Sequence, residues 1–165
     1  MTDLGPALLF CPADRPERFA KALERSDGVI LDLEDAVASD AKDAARANLR
    51  AADLDPARVI VRINPADTGQ FDADLDAVAD TAFRTVMLAK ADDPTVLDLL
   101  PEGVTAIALC ETARGVLAAE DLAAHPRVRG LMWGAEDLVA SLGGTSSRSS
   151  DGRYRDVARH ARARV

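Results

Sequence analysis

Six short apolar, β-rich runs recur along the chain, and Ala-rich amphipathic stretches separate them. The runs are 7–13, 28–35, 58–64, 85–90, 104–112 and 130–137. Runs that are apolar almost throughout predict strands buried on both faces, and the stretches between them predict helices. This alternation is typical of βα units around a parallel sheet. Short connections and right-handed crossovers leave two architectures, a closed β/α barrel or an open doubly wound sheet.

The ends of the predicted strands separate these two architectures. The first strand is followed by FCPADRPER, which contains no GxGxxG or GxxxxGK[ST] motif and so argues against a Rossmann or P-loop site. Polar side chains stand instead at the ends of many strands. They are Asp14, Arg15, Glu34, Asp35, Arg62, Asn64, Lys90, Glu111, Glu136 and Asp137. A β/α barrel builds its site in this way, so we predict a TIM (β/α)8-type barrel of which this chain supplies about six βα units.

The chain is short for a whole barrel. Such barrels usually take about 250 residues and eight strands, whereas this sequence has 165 residues and six candidate strands. A helical pattern, GRYRDVARHARARV, occupies the last positions. We therefore expect residues 1–165 to form a single β/α barrel domain that is C-terminally incomplete, or completed by another chain. The edges of the first and sixth strands would then be exposed.

Charge and composition narrow the class of partners. The formal net charge is −8 and the isoelectric point is near 4.7, which disfavours binding to nucleic acid or to an anionic membrane surface. No apolar run approaches the ~20 residues of a membrane-spanning helix, and the N-terminus lacks a basic leader. The two cysteines, Cys11 and Cys110, have no metal-ligand spacing and are interpreted as buried free thiols. We expect a cytoplasmic protein without nucleic-acid or membrane partners.

Five motifs then carry a family resemblance. They are LLFCPADRPERFAKA, VILDLEDAV, VRIN, ALCETARGV and MWGAEDLVASLG. Together they closely resemble the citrate lyase β subunit and CitE-like acyl-CoA lyases, which belong with malyl-CoA and citramalyl-CoA lyases in the HpcH/HpaI aldolase group. The resemblance covers essentially the whole chain and corresponds to the N-terminal two thirds of the family's barrel. It implies an enzyme that cleaves or condenses 3-hydroxyacyl-CoA thioesters at a carbon–carbon bond, usually with Mg²⁺.

Two acidic residues are the candidate metal ligands. Neighbouring strands lie about 4.8 Å apart, so the ends of strands five and six can place Glu111 and Asp137 around one cation. Carboxylates without histidine favour Mg²⁺ or Mn²⁺ over Zn²⁺. The residues alone leave helix capping or salt bridges open, and the resemblance assigns the metal to these two positions. Glu136 is expected to point the other way along the strand and to be structural.

Arg62, in VRIN, is the candidate substrate-binding cation. A guanidinium matches a carboxylate or enolate oxygen bidentately, and the resemblance places a substrate-contacting arginine here. A buried bridge from Arg62 to Glu34 or Asp35 is the alternative, and both interpretations can hold. Glu34, Asp35 and Arg62 are the catalytic candidates. We expect one of the two carboxylates to hold Arg62 or a metal-bound water. Asp32, deeper in LDLED, is expected to make a structural hydrogen bond.

Three basic residues follow the first strand. Arg15, Arg18 and Lys21 form a basic cluster in an acidic protein, and the resemblance implies that they meet the phosphates of coenzyme A. A solvated helix face is the alternative. Lys90 could form a Schiff base as in a class I aldolase, but the acid pair favours a hydrogen bond or ion pair within a substrate site. The segment GGTSSRSSDGRYR is interpreted as a mobile lid.

Two alternative functions remain open. The first is a class II pyruvate aldolase, which acts on free hydroxy-keto acids by the same chemistry. The second is a truncated subunit without catalytic activity. The family's catalytic aspartate lies in a C-terminal segment that often reaches a neighbouring subunit of a trimer, and nothing here matches it. We therefore expect a homo-oligomer, a general acid/base beyond residue 165, and poor turnover by these 165 residues alone. The sequence does not name the acyl group.

Overall fold

A computed structural model describes residues 4–165 of the chain. Within that range the protein alternates strands with helices, as the sequence predicts. The strands are β1 (Leu8–Pro12), β2 (Gly28–Asp32), β3 (Val59–Ile63), β4 (Thr85–Leu88), β5 (Thr105–Cys110) and β6 (Val128–Trp133). The α-helices are α1 (Phe19–Glu24), α2 (Lys42–Ala51), α3 (Phe71–Ala79), α4 (Ala113–Leu117), α5 (Ala119–Ala124), α6 (Ala135–Ser141) and α7 (Asp156–Arg164). Short 3-10 helices cover Pro16–Arg18, Ser39–Ala41, Pro56–Arg58 and Pro94–Leu99.

The sheet has a simple topology. Its strand order is β1-β2-β3-β4-β5-β6, the order of the sequence. The pairs β1–β2, β2–β3 and β5–β6 are parallel. Over the described residues the sheet is therefore open, with β1 and β6 at its two ends. The predicted α/β fold with six βα units is confirmed. Two apolar residues of β1, Leu9 and Phe10, are 42% and 44% exposed.

The chain divides into two compact units. The first comprises residues up to Met87 together with Leu100–Thr105. All five residues of β2 and all five of β3 are buried there, because helices cover a sheet whose strands are apolar on both faces. In α2, the buried positions recur on one face of the helix. They are Lys42, Ala45, Arg46 and Leu49.

The second unit comprises Leu88–Leu99 and Ala106–Val165. Its β5 is buried from Ala106 to Cys110, whereas β6 is only half-buried. Val116, Leu138 and Ala161, from α4, α6 and α7, form an apolar cluster against which Trp133 packs. None of the helices within residues 4–165 has the length and apolar character needed to cross a membrane.

The sixth strand differs from its predicted bounds. The run 130–137 was expected to be strand throughout, but β6 ends at Trp133 and Ala135 begins α6. Gly134, in an extended conformation, is the junction between the two elements. The apolar run GLMWG continues into AEDLVAS, whose residues favour a helix. The predicted strand and an unpredicted helix therefore share this motif.

Candidate active site

Arg62 and Asp32 form a buried ion pair in the first unit. The register of the sheet sets them side by side, Asp32 at the end of β2 and Arg62 on β3. Arg62 donates from Nε to Asp32 Oδ1 at 2.7 Å and from Nη2 to Oδ2 at 2.5 Å. Asp32 is 0% exposed and Arg62 is 9% exposed. Two parallel hydrogen bonds of this kind fix the plane of a guanidinium as well as its position.

Glu34 adds a second carboxylate to Arg62. The Arg62 Nη1 and Glu34 Oε2 atoms are 3.1 Å apart. Burial by itself would lower the pKa of Arg62, but its hydrogen bonds to Asp32 and the charges of Asp32, Glu34 and Asp35 raise that pKa above its ordinary value. Arg62 is therefore a fixed cation. The guanidinium also lies over the Phe10 ring, 4.9 Å from its centroid.

The structural hydrogen bond expected of Asp32 is confirmed, and its partner is Arg62. The bridge expected between Arg62 and Glu34 is also present, but the two hydrogen-bonded oxygens belong to Asp32, two residues before Glu34 in the chain. Asp32 also accepts hydrogen bonds from the backbone N–H groups of Glu34, at 2.8 Å, and Ala36, at 3.2 Å. It thus shapes the turn that carries Glu34. Asp35 is exposed and acts on Arg62 through its charge, so its catalytic role stays a prediction.

Lys42 is a buried ammonium that the sequence analysis missed. Its Nζ donates to the backbone oxygens of Leu33, at 2.6 Å, and Glu34, at 2.8 Å, and to Asn64 Oδ1 at 2.9 Å. Burial lowers the pKa of Lys42, and the charges of Asp74, Asp32 and Glu34 oppose that shift. Lys42 therefore holds the chain directly after β2 in place.

Asn64 extends the same network into α3. Its backbone N–H and its Nδ2 donate to Asp74 Oδ2 at 2.8 and 2.6 Å. Asp74 Oδ1 accepts from Arg46 Nε at 2.8 Å. A signal was available, because Lys42 and Arg46 are four residues apart on the face of α2 that carries Ala45 and Leu49. Charged residues on an apolar helix face indicate buried pairing.

Three charged side chains meet in the second unit. The Lys90 Nζ atom lies 4.0 Å from Glu111 Oε1 and 3.9 Å from Asp137 Oδ1. The backbone N–H of Lys90 also donates to Glu111 Oε1, at 3.2 Å. Glu111 is 2% exposed, whereas the Asp137 side chain is 37% exposed. The two predicted metal-ligand carboxylates thus face the same positive charge, that of Lys90. The Glu111 carboxylate is buried and the Asp137 carboxylate is partly exposed.

Two glycines allow this arrangement. A Cβ at Gly134 would lie 2.7 Å from Glu111 Oε2, so only glycine leaves the Glu111 carboxylate its place. A Cβ at Gly115 would lie 2.4 Å from the carbonyl oxygen of Ala91, the residue that follows Lys90. The glycines of GAED and CETARG therefore permit close approaches beside the three charges.

The position of Asp137 is not the predicted one. It was expected on a strand, with Glu136 pointing the opposite way along it, but both residues lie in the first turn of α6. Glu136 accepts a hydrogen bond from Ser147 Oγ at 2.5 Å, which agrees with the structural role expected for it. The expectation about the strand was wrong because a helix begins one residue after Gly134.

The carboxylate pair suits a hard divalent cation. Mg²⁺ takes oxygen ligands, uses only one or two protein carboxylates and keeps several waters. Glu111 and Asp137 supply two carboxylates that approach one cationic atom, and the exposed side of Asp137 leaves room for further oxygen ligands. Among residues 4–165 no group of three or more His, Cys, Asp or Glu side chains could hold a metal ion. The donor set therefore fits Mg²⁺ or Mn²⁺ with water as further ligands. It does not fit a metal ion that is enclosed entirely by protein side chains.

The predicted phosphate-binding residues lie on the surface of the first unit. Arg15, Arg18 and Lys21 are all exposed. Arg15 pairs with Asp14 at 3.7 Å and Arg18 with Glu17 at 3.8 Å. Exposed pairs at such distances contribute little, so both guanidinium groups can turn to an anionic ligand. Arg18 ends a 3-10 helix and Lys21 lies in α1, and their binding role stays a prediction.

The predicted lid adopts a defined loop. Arg148 and Tyr154 form an antiparallel bridge, and the Arg148 guanidinium lies 3.7 Å from the centroid of the Tyr154 ring. Tyr154 meets Trp133 edge-on, with ring centroids 5.3 Å apart. These contacts fold the loop between α6 and α7. Whether it moves over a bound substrate stays a prediction.

Comparison with known proteins assigns the chain to a family. Residues 7–165 match the family model described as HpcH/HpaI aldolase/citrate lyase. The chain belongs to the HpcH/HpaI aldolase/citrate lyase family. The resemblance read from its five motifs is thereby confirmed.

Individual members of the HpcH/HpaI family are similar to this chain over most of its length. A "citrate lyase subunit beta-like protein" of Mycobacterium tuberculosis is 57% identical over 162 residues, which are 98% of this chain and 59% of that protein. A "(3S)-malyl-CoA thioesterase" of Cereibacter sphaeroides is 38% identical over 146 residues, which are 83% of this chain and 51% of that protein. The chain thus spans between half and three fifths of the length of these two relatives.

A solved structure of the family shares the fold. CitE of M. tuberculosis, crystallised with magnesium, acetoacetate and coenzyme A, superposes with a TM-score of 0.95 at 56% identity. The match covers 99% of this chain and 61% of the CitE chain. The α/β architecture described above is therefore that of the aldolase/citrate lyase fold.

Proposed function

We propose that this protein acts in a Mg²⁺-dependent carbon–carbon lyase that cleaves or condenses 3-hydroxyacyl-CoA thioesters of the malyl, citramalyl or citryl type. The observation that carries the proposal is the approach of Glu111 and Asp137 to a single positive charge. Membership of the aldolase/citrate lyase family supports it. So does the relative that was crystallised with magnesium, acetoacetate and coenzyme A.

In this proposal Glu111 and Asp137 hold Mg²⁺, with Mn²⁺ as a substitute. A divalent cation in such a site supplies Lewis-acid stabilisation of the oxygen on which charge develops. Glu111 is well placed to be a metal ligand, because its carboxylate is restricted in position. The backbone N–H of Lys90 donates to it, and Gly134 packs closely against it. Asp137 faces solvent and can admit both the ion and a substrate.

Arg62 is proposed to bind a carboxylate or enolate oxygen. Asp32 already fixes the guanidinium through two hydrogen bonds, so little reorganisation is needed when charge develops nearby. Its raised pKa keeps it cationic throughout the physiological range. Glu34, and by its charge Asp35, would tune this group. Their direct participation in the reaction is part of the proposal.

The remaining predicted residues complete the substrate contacts. Arg15, Arg18 and Lys21, all exposed on the first unit, would meet the phosphates of coenzyme A. Lys90 would contact the acyl part of the substrate. These assignments are supported by their charge and by the family resemblance.

We also propose a homo-oligomer, a trimer by resemblance to the family, located in the cytoplasm. The two free, buried cysteines are what a reducing compartment allows. Multi-angle light scattering during size-exclusion chromatography would measure the subunit number, and a monomer at micromolar concentration would contradict the trimer.

A thioesterase is the second candidate, because one relative bears that name. The two reactions separate cleanly by their products. Carbon–carbon cleavage of malyl-CoA gives acetyl-CoA and a 2-oxo acid, whereas hydrolysis gives malate and free coenzyme A. A free-acid aldolase would release a 2-oxo acid without any thioester.

The test is a mass-spectrometric screen of the protein with Mg²⁺ against malyl-, citramalyl- and citryl-CoA and against free hydroxy-keto acids. We expect acetyl-CoA to form only from thioesters and only with the metal. Glu111→Gln or Asp137→Asn should lower this activity about a hundredfold or more. Glu136→Gln, beside Asp137 and bonded to Ser147, is the matched control and should retain it. Full activity in either of the first two variants would refute the proposed metal site.

A further inference from the structure

An open cleft of the second unit is lined mainly by arginines. Its volume is about 900 Å³, and the arginines are Arg148, Arg153, Arg155, Arg159 and Arg162. Two aspartates, Asp151 and Asp156, also line it, so five positive and two negative charges leave a net charge of +3. The chain as a whole carries −8. The cleft is therefore a local positive site in an acidic protein, and a cleft lined by one sign of charge concentrates counter-ions of the other sign.

Three of these arginines follow the repeat of a helix. Arg155 directly precedes α7, and Arg159 and Arg162 lie within it, four and seven residues further on. Residues at this spacing share one face of a helix. All three are exposed, whereas Ala158 and Ala161 of the same helix are buried. Like charges at such spacing destabilise a helix, so an anion bound among the three guanidinium groups would relieve their repulsion.

The fourth arginine, Arg148, is held in place by uncharged groups. Its Nη1 donates to the backbone oxygen of Gly152 at 2.8 Å. Its guanidinium also lies over the Tyr154 ring, 3.7 Å from the centroid. Both contacts fix the orientation of the group, and neither neutralises its charge. Arg148 is therefore oriented in advance for an anionic ligand.

Little of the remaining positive charge in the cleft is neutralised by the protein. Among residues 4–165, Arg155 and Arg162 form no ion pair. Arg153 and Arg159 pair with the two aspartates of the cleft, at 3.6 and 3.2 Å, but both arginines are exposed. Exposed pairs of this kind are weak, so a ligand of higher charge can compete for these guanidinium groups.

We propose that this cleft binds a small anion that carries a diphosphate group, either inorganic pyrophosphate or the diphosphate of a nucleotide. The planar guanidinium group donates two parallel hydrogen bonds to phosphate oxygens. A diphosphate presents several such oxygens and several negative charges, as an array with a net charge of +3 requires. The site is separate from the residues predicted to meet the phosphates of coenzyme A, Arg15, Arg18 and Lys21, which belong to the first unit.

The single tryptophan of the chain gives a readout of binding. Trp133 meets Tyr154 edge-on, with ring centroids 5.3 Å apart, and Arg148 stacks on the same tyrosine. An anion that binds Arg148 changes the surroundings of this ring pair. We therefore expect a saturable change in tryptophan fluorescence on titration with inorganic pyrophosphate in the absence of divalent metal. Orthophosphate, which carries less charge, should bind about tenfold more weakly or not at all.

Substitutions within the cleft locate the bound anion. Arg155→Gln and Arg162→Gln each remove one exposed guanidinium, and each should weaken pyrophosphate binding about tenfold, measured by isothermal titration calorimetry. Arg25→Gln, also exposed but in the first unit, is the matched control and should leave the affinity unchanged. Added KCl should weaken binding, because salt screens exposed charges. A loss of affinity confined to Arg15→Gln would place the anion on the first unit and overturn the inference.

A nucleoside diphosphate distinguishes the two sources of the ligand. Affinity equal to that of pyrophosphate would show that the diphosphate alone is recognised, and higher affinity would show that the cleft also contacts the nucleoside; both results agree with the proposal. Absence of pyrophosphate binding at low ionic strength, or unchanged affinity in both Arg155→Gln and Arg162→Gln, would refute it. The cleft contains neither Glu111 nor Asp137, so this inference and the proposed lyase function can fail independently.

Discussion

At the scale of single residues, the buried charges of the first unit are matched one to another. Asp32 holds Arg62, Asp74 holds Arg46, and Lys42 lies among three oxygens. Removing one partner of a buried pair is costly because it leaves the other charge buried and unpaired. The hydrogen bonds that satisfy the buried charge of Arg62 therefore also fix the orientation of its guanidinium.

We predict that Asp32→Asn destabilises the protein strongly. The loss should be about 3 kcal/mol, because Arg62 would lose its doubly hydrogen-bonded carboxylate and keep the weaker pairing with Glu34. Urea denaturation followed by circular dichroism measures the free energy of unfolding. Asp80→Asn is the control: it removes the partner of Arg50 in an exposed pair and should lower stability by less than about 1 kcal/mol. Equal losses in the two variants would contradict the account of Arg62.

Sequence reasoning reached Arg62, Glu34, Glu111 and Asp137 because polar residues at strand ends are visible in a one-dimensional pattern. It did not reach Lys42 or Asp74, since a charged residue on an amphipathic helix is normally solvated. Only the packing of α2 and α3 with the turn after β2 reveals their partners. Whether such a charged residue is solvated or buried and paired depends on how the helices pack, which a local sequence pattern does not show.

At the scale of elements, the predicted strands are largely correct and the error falls at a junction. β1 to β5 lie within the predicted runs, but β6 begins two residues before the sixth run, which contains only the end of β6 and the start of α6. An apolar run before Ala-Glu-Asp reads equally well as either structure. The consequence is chemical, since Asp137 reaches Lys90 from the first turn of a helix and not from a strand.

The same junction supplies a prediction. Gly134 has φ of −121° and ψ of 120°, which any residue adopts, so Gly134→Ala brings no backbone strain. Its Cβ would nevertheless lie 2.7 Å from Glu111 Oε2 and displace the carboxylate. We expect Mn²⁺ affinity to fall about tenfold or more, measured by isothermal titration calorimetry.

Gly130→Ala is the matched control for that change. Gly130 lies four residues earlier on β6, and a Cβ there would meet nothing within 4 Å. Its affinity should equal that of the unaltered protein. A Gly134→Ala variant that bound Mn²⁺ as tightly as the Gly130→Ala variant would show that Glu111 does not need its present position.

At the scale of the whole molecule, each of the two units buries one thiol, Cys11 in the first and Cys110 in the second. Cys110 is completely buried, and burial followed by the charge of Glu111 raises the pKa of Cys110 from its ordinary 9.0 to about 11. The folded protein therefore prefers the neutral thiol. Its contribution to stability is full below pH 9 and is lost as the pH rises toward 11.

We predict that the free energy of unfolding falls between pH 9 and pH 11 by about 2 kcal/mol more in the unaltered protein than in Cys110→Ala. Urea denaturation at a series of pH values measures both slopes, and comparing slopes removes the constant effect of the lost side chain. Parallel slopes would contradict the burial of this thiol.

The fold class was predictable because six βα units repeat one pattern, whereas the grouping of the chain into two compact units was not. That grouping places Leu88–Leu99 with the second unit and Leu100–Thr105 with the first. One boundary falls within β4, between Met87 and Leu88, and another falls directly after the 3-10 helix Pro94–Leu99. Spatial grouping depends on long-range contacts that a local pattern does not encode.

The backbone of Lys90 is left-handed, with φ of 50°, and this has a practical consequence for protein engineers. Glycine adopts that conformation freely, whereas a side chain there costs about 1 kcal/mol or more. A search for thermostable variants would accordingly favour glycine at position 90 and discard the ammonium. The gain in melting temperature would come at the expense of the positive charge beside Glu111 and Asp137.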